Sequence, residues 1–148
     1  MEHTLEGFRS IQRDLNTIEH MLYVSCKFTR TTEMLRKVME TIVSTYENFF
    51  SIAYEVLVPK EHYSANTVHD KIQLLNEMLI SKGVAVDLSD YFILKRLLIS
   101  DFDSIGEYRK NLCMVSYIDG EEYIINLAKL LEFYEHLKSA YSGLTQTQ

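Results

Sequence analysis

Apolar side chains recur every three or four residues along two long runs in the first part of the chain, residues 5–28 and 32–58. This spacing places the apolar residues of each run on one face of a helix. The two faces consist of Phe8, Ile11, Leu15, Ile18 and Leu22 in the first run, and of Leu35, Val38, Ile42, Phe49, Ile52 and Val56 in the second. We predict a long antiparallel helix pair, in which Thr31 or Thr32 caps the second helix and Pro59 ends it.

Two shorter helices are predicted in the middle of the chain. Asn66 or Thr67 is expected to cap the first of them, and Gly83 is expected to end it. Asp87 or Ser89 is expected to cap the second. Because nearly every following position is apolar, we predict that this second helix is the most buried one in the protein.

The helical pattern stops after Gly106. Residues 112–118 and 121–125 are rich in β-branched and aromatic side chains, and Asp119-Gly120 stands between them. Asp-Gly is a favoured two-residue hairpin turn because both positions accept a positive φ. One continuous helix is the alternative, but Asp-Gly followed by β-branched residues disfavours it. We predict a small β-hairpin here.

The last apolar stripe belongs to a helix that Asn126 is expected to cap. Gly143 is predicted to end this helix, and residues 143–148 are predicted to form a frayed tail. The fold class is therefore predicted as mainly all-α. We expect a helical bundle of about five helices, with a long antiparallel helix pair and a small β-hairpin before the last helix, in a single domain spanning residues 1–148.

The composition is that of an ordinary folded domain, with 47% hydrophobic and 24% charged residues and a net charge of −6. The acidic balance disfavours attraction of the whole surface to nucleic acid. Cys26 and Cys113 lie in apolar stretches and are expected to be buried thiols. Residues 1–7 have neither the basic region nor the apolar core of a secretory signal, and no apolar run reaches the roughly 18 residues that span a bilayer. We expect a cytoplasmic protein that does not enter membranes.

Candidate chemistry is sparse. The chain has no Gly-x-Ser-x-Gly motif, no phosphate-binding glycine loop and no Glu-x-x-His pair of the di-iron bundles. Glu132 and His136 share a helix face, and His62 and His69 flank the start of the third predicted helix. These four residues are the weak metal candidates, although solvated histidines are the commoner explanation. No catalytic residue and no cofactor is predicted from the motifs.

Basic residues gather around the turn between the two long helices. Lys27, Arg30, Arg36 and Lys37 form a local patch that is the one place where nucleic-acid contact is considered. The helix dipole offers a structural reason for cations at the end of the first helix. Two further basic dipeptides are Lys95-Arg96 and Arg109-Lys110.

The segment from Arg13 to His20, Arg-Asp-Leu-Asn-Thr-Ile-Glu-His, resembles a motif of the HEPN family of helical, often dimeric, nucleotide- or RNA-related proteins. Ribonucleases of that family carry an Arg, four to six intervening residues and then a His, usually late in the domain, whereas this segment lies in the first helix. The resemblance implies a ribonuclease or nucleotide-handling enzyme that uses Arg13 and His20. Residues 107–111, the Asp-Gly turn and the following helix are also similar to uncharacterised archaeal helical proteins.

Apolar stripes are plentiful and catalytic spacings are missing, so a non-catalytic protein–protein interaction module is the favoured function. Because two helices this long are not expected to be covered by three shorter ones, we predict that their free surface forms a homodimer. The alternatives are the HEPN-like enzyme and a metal-binding helical bundle.

Overall fold

The computed structural model describes residues 2–58, 67–84 and 89–146. Its helices are α1 (Glu2–His20), α2 (Cys26–Phe28), α3 (Thr32–Leu57), α4 (Val68–Ser81), α5 (Ser89–Ile99) and α6 (Leu127–Gln146), and a π-helical segment (Met21–Ser25) joins α1 to α2. The strands are β1 (Asp103–Ile105), β2 (Cys113–Ile118) and β3 (Glu121–Ile125). The mainly helical class is thereby confirmed.

The first two long helical segments pack against each other and against α6. Thr31 caps α3 as predicted, since its side chain accepts a hydrogen bond from the Met34 N–H at 3.2 Å, and Val58 leaves the helical region at the other end. The residues buried in the two apolar stripes include Ile11, Leu15, Ile18, Leu22, Leu35, Val38, Ile42 and Phe49. Most of the stripe surface on which the homodimer was predicted is therefore covered within the chain, while Phe8 and Val56 are partly buried. The homodimer stays a prediction.

Both ends of α4 follow the sequence pattern. The Thr67 hydroxyl accepts a hydrogen bond from the Asp70 N–H at 3.0 Å, and Gly83 follows the helix with a φ of +78°. A positive φ is the conformation for which glycine is favoured at a helix end. Asn66, the alternative cap, and Pro59, the predicted helix stop, lie outside the described residues.

α5 begins at Ser89, and the alternative cap Asp87 lies outside the described residues. The prediction that this helix is the most buried one is wrong. Its buried residues are Asp90, Tyr91, Leu94 and Leu97, while Ile99 is 88% exposed. The helix packs on α3 and β2 with one side only, so apolar residues on its other side face solvent.

The sheet has three strands in the order β1-β2-β3, and both neighbouring pairs are antiparallel. β2 and β3 are paired from Met114↔Ile125 to Ile118↔Glu121, and Asp119 and Gly120 between them both have positive φ. β1 was not predicted. Its three residues are all exposed, so no buried periodicity marks the strand, and it forms through its pairing with β2.

α6 begins as predicted, because the Asn126 side chain accepts a hydrogen bond from the Lys129 N–H at 2.9 Å. The predictions that Gly143 ends the helix and that a frayed tail starts there are wrong. α6 continues to Gln146, and Leu144 is fully buried. Gly143 instead lies against Val84, where a Cβ atom would stand 2.5 Å from the Val84 Cγ1 atom.

Candidate functional site

The Glu107 side chain connects the segment before β2 to the beginning of α3 through hydrogen bonds. Its Oε1 atom accepts hydrogen bonds from the Thr32 N–H (3.0 Å), the Thr32 hydroxyl (2.6 Å) and the Ser104 hydroxyl (2.8 Å). These bonds, those from Thr32 first, hold the pKa of the Glu107 carboxyl below its usual value. A carboxylate at the start of a helix is also favoured by the helix dipole. These hydrogen bonds fix the position of the residues that follow Glu107.

Tyr108 continues this attachment through its backbone. Its N–H donates a hydrogen bond to the Arg30 carbonyl at 2.6 Å, and its φ is +67°. A large side chain seldom adopts a positive φ, and such strain persists where the surroundings impose it. The result is that Arg109 and Lys110 are held beside the turn between α2 and α3.

A cavity of about 390 Å³ lies at this junction. Its lining residues are Cys26, Lys27, Arg30, Leu35, Arg109, Lys110, Leu112 and Leu127. The apolar residues form its inner wall, where Leu35 and Leu112 are buried. Burial raises the pKa of the Cys26 thiol, so this cysteine presents a neutral sulfur. We call this feature the basic cavity.

The four cations of the basic cavity are Lys27, Arg30, Arg109 and Lys110. Within residues 2–58, 67–84 and 89–146, none of them forms an ion pair with a carboxylate. The Arg30 Nε–H donates to the Lys27 carbonyl at 3.1 Å, and the Lys27 Nζ atom lies 5.8 Å from the centre of the Tyr23 ring. Positive charge is therefore concentrated here, and no ion pair in the described part of the chain neutralises it.

Only half of the predicted basic patch, Lys27 and Arg30, belongs to this cluster. Arg36 is engaged elsewhere, since its Nη2 atom donates to the Leu98 carbonyl at 2.6 Å and its Nε lies 3.9 Å from the Glu40 carboxylate. Lys37 is exposed and does not line the basic cavity. The Arg109-Lys110 dipeptide is visible in the sequence, but its place beside Lys27 and Arg30 is not, because the Glu107 attachment that brings the two segments together leaves no local sequence pattern.

A second surface feature is the outer face of the sheet. Side chains alternate across a strand, so Val115 and Tyr117 point away from the core-facing Met114. Val115 is paired with Ile124, which is 48% exposed, and Tyr117 is 61% exposed. Ile99 lies beside them and lines the same 480 Å³ groove as Val115 and Tyr117. We call Ile99, Val115, Tyr117 and Ile124 the outer apolar face.

Carboxylates border this face. Asp103 is paired with Val115, Glu122 is paired with Tyr117, and Asp101 lines the groove. Among the described residues, these three acids form no ion pair. Glu122 accepts a hydrogen bond from the Tyr117 hydroxyl at 2.9 Å, and that bond with the negative charges of Glu122 and Asp103 raises the pKa of the Tyr117 hydroxyl.

The residues of the HEPN-like motif are not assembled into a site by the described contacts. Arg13 lies 3.5 Å from the Glu6 carboxylate on the exposed side of α1, and His20 is exposed. No hydrogen bond or ion pair in the described part of the chain joins Arg13 to His20. The enzyme alternative stays a prediction.

The metal candidates are also dispersed. His69 contacts the Phe92 ring, and Glu132 lies 3.6 Å from the Lys129 ammonium. His136 Nδ1 is 2.6 Å from the carboxylate of the buried Asp90. His62 lies outside the described residues, and the described ones contain no group of three or more His, Cys, Asp and Glu that could hold a metal ion.

No family model, curated protein or solved structure matches this chain. Of the helices in the described ranges, none combines the length and the hydrophobicity that crossing a membrane requires.

Proposed function

We propose that this protein is a non-catalytic interaction protein, and that its contact surface is the outer apolar face. The observation that carries the proposal is the exposure of adjacent apolar side chains on a sheet that packs on the core with its other side. Ile99, Tyr117 and Ile124 are exposed, and Val115, which is paired with Ile124, is buried but lies outside the main core cluster. Contiguous exposed apolar surface of this kind is typical of protein contact sites.

The charges around the face support one class of partner. Asp101, Asp103 and Glu122 border it, so a bound segment with lysine or arginine beside its apolar residues gains complementary charge. A second copy placed face to face would instead bring these carboxylates together, which is unfavourable. The proposed partner is therefore a protein segment with an apolar run flanked by basic residues.

The test is a selection from a displayed library of random peptides on the immobilised protein. We expect the enriched peptides to carry apolar runs with flanking Lys or Arg, and to bind the double variant Tyr117→Thr, Ile124→Thr at least tenfold more weakly. Threonine keeps the preference for strand structure while removing the large apolar groups. Ile80→Thr is the matched control, since Ile80 is 60% exposed on α4, away from the sheet.

The proposed partner class is wrong if no peptide is enriched, if the enriched peptides are acidic, or if they bind the double variant as well as the wild type. Light scattering over a range of concentrations tests the homodimer alternative in parallel. A dimer that the double variant abolishes would assign this face to a second copy and overturn the basic-partner proposal. Circular dichroism of each variant verifies that the fold is kept.

A further inference from the structure

We propose that the basic cavity and two exposed aromatic residues adjacent in the chain to its cations bind single-stranded nucleic acid, with Lys27, Arg30, Arg109 and Lys110 on the phosphates and with Phe28 and Tyr108 stacked on bases. This site is separate from the outer apolar face. It rests on the gathering of four cations from two distant segments around one cavity.

Two of the four cations in the basic cavity have no structural reason for their position. Lys27 lies at the end of α2, where the helix dipole favours a cation, and Arg30 donates to the Lys27 carbonyl. Arg109 and Lys110 follow no helix end, and in the described chain they form no ion pair that would explain their position. Four neighbouring cations repel one another weakly across solvent, and a bound anion relieves that repulsion. Phosphate oxygens are the natural ligands for such a set.

The cavity itself suits a nucleotide unit. Its volume of about 390 Å³ falls in the range of small-molecule sites, which combine apolar walls with a few polar groups. Leu35 and Leu112 provide such a wall beneath the cations. A sugar or base contacts the apolar wall while its phosphate stays at the charged rim.

The two rings extend the site beyond one nucleotide. Phe28 is 87% exposed and Tyr108 is 79% exposed, and each is the chain neighbour of a cavity cation. The hydrogen bond from the Tyr108 N–H to the Arg30 carbonyl joins the two segments that carry them. Exposed aromatic rings beside cations are the usual arrangement for binding single strands, because every base has a face on which a ring can stack.

A single strand fits better than a duplex for two reasons. The bases of a duplex are already stacked on each other, so the rings have no base faces to contact. In addition, the protein carries a net charge of −6, so a long duplex that reached past the cations would be repelled by the rest of the surface.

The test measures fluorescence anisotropy of a labelled eight-nucleotide uridine oligomer against salt concentration. Up to four phosphate contacts predict that the logarithm of the binding constant falls with the logarithm of salt with a slope of about −2 to −3, at about −0.7 per contact. Arg109→Ala and Lys110→Ala should each weaken binding and make the slope shallower by about 0.7. Lys37→Ala is the matched control, because Lys37 is exposed beside the same turn but outside the cavity, and it should change neither quantity.

Stacking is tested separately with Phe28→Ala, Tyr108→Gly and Tyr108→Phe. Tyr108→Gly removes the ring and suits the positive φ, so the fold should be retained. We expect Phe28→Ala and Tyr108→Gly each to weaken binding about tenfold with an unchanged salt slope, and Tyr108→Phe to bind as the wild type does.

Several results would overturn the proposal. The first is that the oligomer does not bind even at low salt, and the second is that Lys37→Ala weakens binding as much as Arg109→Ala or Lys110→Ala does. The third is that a duplex binds as tightly as the single strand. The fourth is that uridine monophosphate competes as well as the unlabelled oligomer, which would identify a free nucleotide as the ligand. If the cation variants weaken binding of the oligomer and the ring variants do not, stacking of the bases on Phe28 and Tyr108 is refuted. The Tyr117→Thr, Ile124→Thr variant should bind the oligomer normally, so that this site and the proposed peptide site succeed or fail independently.

Discussion

Replacing Gly143 by alanine tests why a glycine stands inside α6. In a helix interior this change ordinarily stabilises by about 1 kcal/mol, because glycine loses more backbone freedom on folding. Here the added Cβ would lie 2.5 Å from Val84 Cγ1 and 3.3 Å from Val84 Cγ2. Two effects of opposite sign therefore compete at one position.

The immobility of Val84 decides which effect is larger. Its side chain is 8% exposed and its backbone N–H is bound to the Leu79 carbonyl at 2.9 Å, so the residue has little room to withdraw. Valine is also stiff about χ1. Forcing a methyl group into such a contact costs about 1–3 kcal/mol. After subtraction of the gain of about 1 kcal/mol in helix propensity, we expect Gly143→Ala to destabilise the protein by about 1 kcal/mol.

A double-mutant cycle measured by urea denaturation separates the contact with Val84 from the effect of helix propensity. In the Val84→Ala background both Cγ atoms are gone and the nearest remaining Val84 atom is the Cβ at 3.4 Å, so Gly143→Ala should now stabilise by about 1 kcal/mol. The sign of the alanine effect should thus reverse between the two backgrounds. Ser139→Ala, at an exposed position of the same helix, controls for helix propensity alone. If Gly143→Ala stabilises equally in both backgrounds, the close contact with Val84 does not exist.

Two further predictions concern the end of α6 and the Glu107 attachment. Leu144→Ala should destabilise the protein by about 2–5 kcal/mol in urea denaturation, because Leu144 is fully buried. Thr145→Ala, at an exposed position, should change the stability little. If both substitutions have negligible effects, the end of α6 is frayed as the sequence predicted. The folded-state pKa of Glu107 is lowered, so its contribution to stability is present above its ordinary pKa of 4.5 and is lost as the pH falls through the lower folded value. Denaturation of Glu107→Gln across pH 2–7 should therefore show a weaker pH dependence than the wild type, and an identical profile would contradict the attachment.

The sequence by itself determined the mainly helical class, the cap of α6 at Asn126, and a choice of two neighbouring residues for the caps of α3 and α4. Thr31, Thr67 and Asn126 each accept a hydrogen bond from the N–H three residues later. Such a bond involves only residues that are close in the chain, so the local sequence is sufficient to predict it. The membership of the two long stripes followed in the same way, because helical periodicity alone places their residues on one face. The sequence did not show that the chain itself covers most of that face.

The tertiary structure alone decided the features that depend on distant residues. Gly143 lies inside α6 and leaves room for Val84, where a Cβ atom would clash, and β1 is a strand because β2 supplies its hydrogen-bond partners. The basic cavity exists because Glu107 and Tyr108 attach their segment to the start of α3 and to Arg30. Each of these contacts joins residues far apart in the chain, and their geometry comes from packing that leaves no periodic pattern in the local sequence.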